Sequence, residues 1–157
     1  MNYERFTKLR QTIYLGYDQN AESQKQIFYD ALKHFGTVID LSKNSSTLLD
    51  YISITAAVCK EVVSSNCYGV LACGTGMGVS IIANKHKRII AARCVSSEDA
   101  VDSRLINGSN VLCLSAKTDK QINAEIIRAF FNTDFTLSQK RQFRLNQLIT
   151  LEGANFI

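Results

Sequence analysis

The segment Tyr68-Gly-Val-Leu-Ala-Cys-Gly-Thr-Gly-Met-Gly-Val-Ser-Ile-Ile-Ala-Asn-Lys85 joins an apolar run to a glycine-rich turn and then to a helical pattern. The apolar run predicts a buried strand, so Cys73 stands where that strand ends and the next helix begins. A helix N-terminus carries unpaired N–H groups and a partial positive charge, which attract anions and favour the thiolate form of a cysteine. The segment therefore predicts a site for a negatively charged small molecule, with Cys73 as its candidate base or nucleophile.

The composition of the 157 residues is typical of one ordinary globular domain, spanning residues 1–157. Apolar residues make up 46% of the chain and charged residues 20%, enough for a substantial core. The chain has no apolar run of the roughly 18 residues that a membrane span needs, and its first ten residues do not resemble a signal peptide. We therefore expect a cytoplasmic protein with no membrane or nucleic-acid partner. The net charge of +4 suits a phosphorylated substrate without singling one out.

The five cysteines support the same compartment. They are scattered, mostly inside apolar runs, and form no C-x-x-C pair; an odd count in that arrangement favours reduced thiols in a cytosol over a disulfide framework or a zinc site. Cys59, Cys67 and Cys113 are interpreted as small buried hydrophobic residues. Cys94 follows a predicted strand, and its role stays open.

Strand and helix patterns alternate along the chain with short connections. We expect strands over residues 12–18, 37–41, 68–72, 88–94 and 110–114. We expect helices over 21–35, about 46–65 (capped by Ser46 or Thr47), 78–86, 96–106 (begun by Ser96 or Ser97) and 118–132 (capped by Thr118 or Asp119). This alternation predicts an α/β fold, a single-domain three-layer α/β/α sandwich with a five-stranded parallel, Rossmann-like sheet. Ligands of such sheets bind at the carboxyl ends of the strands. We assign three polar features to that edge: Asp18, the 73–78 turn and the 107–110 turn.

An extra C-terminal helix is predicted over about residues 137–151. Its first half carries Lys140, Arg141 and Arg144, ahead of an apolar second half. Because this helix follows a completed sheet, we expect it to pack on a partner subunit.

Four segments together resemble a known family. Asp18, the Cys73–Gly78 turn, the Ser80–Lys85 stretch and the Asn107–Leu112 stretch resemble, in that order and spacing, the ribose-5-phosphate isomerase B and galactose-6-phosphate isomerase family. The resemblance covers about residues 12 to 150. It implies an aldose–ketose isomerase of sugar phosphates that works through a cis-enediolate, with no metal and no organic cofactor.

The resemblance also implies roles for particular residues. Cys73 is the base, Thr75 helps move a proton between two substrate oxygens, and Asp18 contacts sugar hydroxyls and assists ring opening. Substrate is bound by the turn residues Gly74, Gly76, Met77 and Gly78, whose N–H groups stabilise the enediolate, and by Asn107. The family's active site lies between two subunits, so a homodimer or tetramer with shared sites is implied. Basic residues of the last helix reach the phosphate, and Lys140, Arg141 and Arg144 fall there.

Two departures from the family pattern bear on the substrate. Family members usually carry histidine where this chain has Gln19 and Ile106, and the second of those histidines helps open the sugar ring. The two histidines of this chain, His34 and His86, fall elsewhere. The chain therefore keeps the proton-transfer residues and lacks the usual ring-opening acid and base.

Other interpretations of these residues stay open. The glycine turn resembles a dinucleotide-binding loop, but Val79 occupies the position of its last glycine. Asp18 suits a helix cap, Asn107 a simple turn, and the basic cluster a solvated face. A helper subunit, or a protein that binds a phosphosugar without turnover, fits the same motifs.

Overall fold

The sheet of this computed structural model, which describes residues 11–43 and 50–155, has five parallel strands. They are β1 (Thr12–Tyr17), β2 (Thr37–Asp40), β3 (Tyr68–Cys73), β4 (Ala91–Arg93) and β5 (Val111–Ser115). Their order across the sheet is β2-β1-β3-β5-β4. The central strands are buried along almost their whole length, as expected of a parallel sheet covered on both faces. The predicted fold class is confirmed.

Six α-helices surround the sheet in the described part of the chain. They are α1 (Lys25–Leu32, after a short 3-10 turn at Glu22–Gln24), α2 (Tyr51–Ser65), α3 (Met77–Ala83), α4 (Ser97–Asn107), α5 (Lys120–Phe131) and α6 (Gln139–Asn155). Ser96 and Asp119 cap α4 and α5 as two of the expected caps. Ser46 and Thr47 lie outside the described residues. Helix α2 begins at Tyr51, where the Asp50 carboxylate accepts from two backbone N–H groups.

Strand β4 is shorter than the predicted strand over residues 88–94, and the conformation of the chain just before it accounts for its later start. Arg88 has φ +70°, a left-handed conformation incompatible with a strand. The side chain of Asn84, which ends α3, then pairs with the strand as a backbone would. The Ala91 N–H donates to Asn84 Oδ1 at 3.0 Å, and Asn84 Nδ2 donates to the Ala91 carbonyl at 2.9 Å. This side-chain pairing also explains why α3 stops before residue 86.

Two apolar cores lie on the two faces of the sheet. Helices α1, α4 and α5 cover one face, where Leu15, Val70 and Leu112 are buried. Helices α2 and α3 cover the other, where Leu71 and Cys73 are buried. Alternate residues of β3 thus point to opposite cores, and the pleat directs Cys73 toward the α2–α3 side.

Helix α6 lies outside these layers and is bound through a small third cluster. Leu145 and Phe135 are buried there against Ile90 and Ile149. Much of the rest of α6 faces outward, and Phe143 is 63% exposed. The helix begins two residues later and ends four residues later than predicted.

The connections create a crevice between β1 and β3. The chain leaves β1 for β2 on one side and then crosses to β3 on the other side of β1. Crossover helices that diverge in this way leave an opening at the carboxyl ends of the two strands, where α/β proteins bind ligands. Asp18 and Cys73 stand at those two strand ends.

Candidate active site

The crevice at the carboxyl ends of β1 and β3 holds a cleft of about 310 Å³, here called the thiol cleft. Its lining consists of Asp18, Asn20, Tyr51, Cys73, Gly74, Thr75 and Gly78. The sequence predicted five of these seven residues. The structure brings Asp18 and the glycine turn together across neighbouring strands, as expected for this edge of the sheet.

Cys73 is 5% exposed and is held by the turn that follows it. The Gly76 N–H donates to Cys73 Sγ at 3.2 Å. Gly76 has φ +72°, and a Cβ at this position would lie 3.0 Å from the Leu114 carbonyl, so only glycine fits without strain. An N–H aimed at sulfur stabilises negative charge on it. The turn thus places an N–H donor against the sulfur in the wall of the cleft.

The other cysteines have a different environment. Burial raises the pKa of Cys59 to about 12 and that of Cys94 to about 12, and it raises the pKa of Cys113 well above the ordinary thiol value. These three thiols therefore stay protonated at neutral pH. None of the five cysteines forms a disulfide in the described part of the chain. The interpretation of Cys59 and Cys113 as small core residues agrees with their burial, and Cys94 belongs with them.

Three hydrogen bonds hold the glycine turn in place. The Met77 N–H donates to Thr75 Oγ1 at 3.2 Å, and Arg93 Nε donates to the Thr75 carbonyl at 2.8 Å. From β5, Ser115 Oγ donates to the Gly74 carbonyl at 3.0 Å. Two neighbouring strands thereby fix the turn. The first turn of α3 leaves N–H groups without intrahelical partners beside the cleft.

Asp18 is 5% exposed and lines the cleft with its carboxylate already engaged. Its two oxygens accept from the backbone N–H of Asn20 at 2.9 Å and from Asn20 Nδ2 at 3.0 Å. The carboxylate therefore closes a local turn and does not cap a helix, since no side chain caps the short 3-10 helix that follows. These bonds orient Asp18 toward the cleft.

Sequence reasoning missed Asn20 and Tyr51. Tyr51 lies against Gly78, where an added Cβ would come 2.8 Å from its ring. The third glycine of the turn is the one signal that a bulky group packs there. Nothing in the sequence identifies that group as the first residue of α2.

The predicted position of Asn107 is wrong. Asn107 is the last residue of α4, and the 107–110 turn leads into β5, so it lies at the amino ends of the strands. The Gly69 N–H near the start of β3 donates to the Asn110 carbonyl at 2.9 Å. Cys73 pairs with Ser115, which lies roughly 17 Å along the strand from Asn110 at about 3.3 Å per residue. A turn from a helix into a parallel strand must return to the amino edge, because every strand runs the same way.

Asn107 instead lines a second cleft, of about 200 Å³, here called the basic cleft. It lies between the 107–110 turn and α6, and its lining consists of Ile90, Ile106, Asn107, Phe135, Arg141, Arg144, Leu145 and Leu148. Arg141 and Arg144 are three residues apart and share one helix face. Lys140 is exposed and does not line this cleft. Arg141 Nη1 also donates to the Thr136 carbonyl at 3.0 Å.

The two clefts have complementary chemistry. Among the described residues, a thiol, a carboxylate and backbone N–H groups line the thiol cleft, without lysine or arginine. In the same part of the chain, the basic cleft is lined by two guanidinium groups and an amide, without a thiol or carboxylate. Neither His34 nor His86 lines either cleft, and His86 Nδ1 lies 3.0 Å from the Ile82 carbonyl.

Residues 11–43 and 50–155 contain no helix with both the length and the apolar character needed to cross a membrane. Nor do they bring three or more His, Cys, Asp or Glu side chains together as a metal-binding group.

Comparison with known proteins gives consistent matches over nearly the whole chain. The family model described as Ribose/Galactose Isomerase matches residues 13–148. The probable ribose-5-phosphate isomerase B of Mycoplasma genitalium is 33% identical over 147 residues, which are 89% of this chain and 95% of that protein. The D-erythrulose-4-phosphate isomerase of Pectobacterium atrosepticum is 30% identical over 128 residues, covering 79% and 84%.

A third relative is longer. The DNA damage-repair/toleration protein DRT102 of Arabidopsis thaliana is 36% identical over 127 residues, 78% of this chain, and the match spans 40% of that protein's length. Among solved structures, ribose-5-phosphate isomerase B from Mycoplasma genitalium with bound ribulose-5-phosphate superposes with a TM-score of 0.83 at 31% identity. That superposition covers 92% of this chain and 98% of the other.

Proposed function

This chain belongs to the ribose/galactose isomerase family, as its motifs predicted, and we propose that it interconverts an aldose phosphate and a ketose phosphate with Cys73 as the base. The observation that carries this proposal is the Gly76 N–H directed at Cys73 Sγ in a cleft that also holds Asp18. The named activities of its relatives support the same reaction class.

The reaction moves one proton between carbons and one between oxygens. The Cys73 thiolate takes the proton from the carbon next to the carbonyl. The electron pair of that C–H bond forms the carbon–carbon double bond, and the π pair of the carbonyl moves onto its oxygen to give a cis-enediolate. The N–H groups of the 74–78 turn stabilise the negative oxygen. Thr75 passes a proton between the two oxygens, and the Cys73 thiol returns its proton to the former carbonyl carbon. Substrate and product are isomers, so no oxidant or reductant is consumed.

We assign the complete active site to two copies of the chain. Within residues 11–43 and 50–155, the thiol cleft has no cation for the phosphate, and the basic cleft has no base. Placing the α6 face of a second copy over the thiol cleft supplies Asn107 to the enediolate oxygens and Arg141 and Arg144 to the phosphate. A two-fold dimer forms two such sites at once.

Exposed apolar side chains near both clefts support this arrangement. Tyr51, Ile52, Met77 and Ile81 are exposed around the thiol cleft. On α6, Phe143, Leu148 and Leu151 are exposed. Solvent-exposed apolar groups of this size favour burial in an interface. Five cysteines that form no disulfide among the described residues suit a cytoplasmic enzyme.

For the substrate, we propose a tetrose phosphate or another sugar phosphate in open-chain form. Ring opening needs a proton donor and acceptor near neutral pH, a task suited to histidine. Gln19 cannot titrate, Ile106 cannot exchange a proton, and neither histidine lines a cleft. A tetrose 4-phosphate needs no opening, since its terminal hydroxyl is esterified and cannot close a furanose. The erythrulose-phosphate activity named for one relative supports this choice.

The test compares kcat/KM for erythrose 4-phosphate, ribose 5-phosphate and galactose 6-phosphate. We expect the tetrose to be preferred by at least about tenfold, and a clear preference for either ring-forming sugar contradicts the proposal. The matched variant Ile106→His should raise the rate on ribose 5-phosphate while leaving the tetrose rate nearly unchanged.

A phosphosugar-binding protein without turnover is the second candidate, and the absence of histidine from both clefts favours it over a pentose isomerase. Deuterium exchange separates the two. In D2O, an enzyme incorporates deuterium at the carbon next to the carbonyl, which NMR detects even when ring opening is slow. A protein that binds the tetrose phosphate and leaves its carbon-bound protons unexchanged is a binding protein only.

A further inference from the structure

Arg104 is a buried cation that neither cleft contains. It lies in the last turn of α4 and is 3% exposed. Its guanidinium carbon lies 5.1 Å from the Tyr68 ring centroid and 5.4 Å from that of Phe130. Burial lowers the pKa of Arg104, but an arginine keeps its charge at neutral pH. Burying this charge costs stability, so its retention calls for an explanation.

The hydrogen bonds of Arg104 join two segments that are separate in sequence. Nη1 donates to the Ser109 carbonyl at 2.6 Å and Nε to the Thr133 carbonyl at 3.2 Å. Nη2 donates to the Tyr68 hydroxyl at 3.1 Å. All three acceptors are uncharged. The planar guanidinium directs N–H groups from three nitrogens to several acceptors in fixed directions. Lysine carries its donors on one nitrogen and cannot reproduce that geometry.

Both segments contribute residues to the lining of the basic cleft. Residues 104 and 109 bracket Asn107, so the Nη1 bond closes the turn from which Asn107 projects. Thr133 lies in the connection from α5 to α6. Arg141 Nη1 donates to the Thr136 carbonyl in the same connection. Phe135, in the same connection, packs on Gly108, where a Cβ would come 3.1 Å from its ring.

We propose that Arg104 is a positioning residue that sets the placement of Asn107 relative to Arg141 and Arg144. This inference rests on the proposed function, in which those three side chains bind the sugar phosphate. Arg104 touches no substrate. It acts by fixing the backbone of the two segments that supply the phosphate and hydroxyl ligands.

The test uses Arg104→Lys, which keeps a cation and loses the planar guanidinium. We measure the Kd of inorganic phosphate by calorimetry, kcat and KM for erythrose 4-phosphate, and the iodoacetamide alkylation rate of Cys73. We expect the phosphate Kd and the KM to rise about tenfold, because misplaced ligands bind more weakly. The kcat should fall by a smaller factor than the KM rises, and the alkylation rate should stay within about twofold, since Arg104 forms no hydrogen bond to Cys73 or its turn.

Tyr68→Phe is the matched control. It removes the acceptor of Nη2 and leaves both carbonyl bonds, so it should lower Tm while leaving the phosphate Kd within about twofold. Equal phosphate Kd values for Arg104→Lys and the wild type, whatever their Tm values, would overturn the positioning role and leave Arg104 with a structural role only. Failure of the wild type to bind phosphate would overturn the basic cleft itself, whereas phosphate binding without turnover would overturn only the isomerase assignment.

A second measurement needs no variant and decides the matter should Arg104→Lys not fold. Because coupling is reciprocal, phosphate binding at Arg141 and Arg144 should slow amide hydrogen exchange at Gly108 and Ser109 in the wild-type protein. Their N–H groups donate within α4 to the Arg104 and Ser103 carbonyls. Unchanged exchange at both amides under saturating phosphate contradicts the proposal.

Discussion

The thiol cleft and the basic cleft lie at opposite edges of one sheet and are built differently. Most of the thiol cleft comes from one continuous stretch in which a strand, a glycine turn and a helix follow one another. The basic cleft is assembled from the end of α4, the α5–α6 connection and the face of α6. Chemistry that follows a strand can be recognised locally, whereas chemistry on separate segments depends on how those segments pack.

The largest expected effect removes the base and leaves the basic cleft intact. Cys73→Ser should lower kcat by a factor of about 10³ or more with little change in KM, because a serine hydroxyl is far less acidic than a thiol. Steady-state kinetics and deuterium exchange measure both quantities. The control Cys59→Ala removes a buried thiol outside the cleft and should keep nearly the full kcat. A Cys73→Ser variant that keeps most of the wild-type kcat would show that another group is the base.

The second effect compares the thiols with one another. At pH 7 to 9, iodoacetamide should modify Cys73 at least about 100-fold faster than Cys59, Cys94 or Cys113, as read by mass spectrometry. The raised pKa values of these three keep their thiols protonated over this pH range in the folded protein. A tetrose phosphate should protect Cys73. Equal, slow labelling of all the thiols would contradict the prediction that Cys73 in the cleft is more reactive than the buried cysteines.

The smallest effect concerns the basic cleft and should appear in KM. Arg144→Gln removes one guanidinium from the phosphate site and should raise KM about 30-fold with a smaller fall in kcat, since charged hydrogen bonds are each worth about 2 kcal/mol. Lys140→Gln is the matched control, because Lys140 carries the same charge outside the cleft. A larger KM effect for Lys140→Gln than for Arg144→Gln would reverse the assignment of the phosphate ligands.

The same contrast explains what the sequence could predict. Alternating patterns and caps such as Asp119 were enough for the sheet and helices, and Cys73 was placed correctly because it directly follows its strand. Asn107 was assigned to the carboxyl edge, although its segment leads from a helix into β5 and therefore lies at the amino edge. Tyr51 was missed because its position depends on how α2 packs against Gly78. Arg104 was missed because its partners lie up to 36 residues away.

Subunit mixing tests the central claim, that the two clefts of different copies form one active site. Cys73→Ser and Arg144→Gln proteins are inactive or weak for different reasons, and random exchange of equal amounts puts half of the dimers in mixed form. In a shared-site dimer, each mixed dimer has one site with both defects and one with none. At substrate concentrations well below the KM of Arg144→Gln, the mixture should then recover about one quarter of wild-type activity. If each chain held its own complete site, the mixture would show only the average activity of the two parent variants.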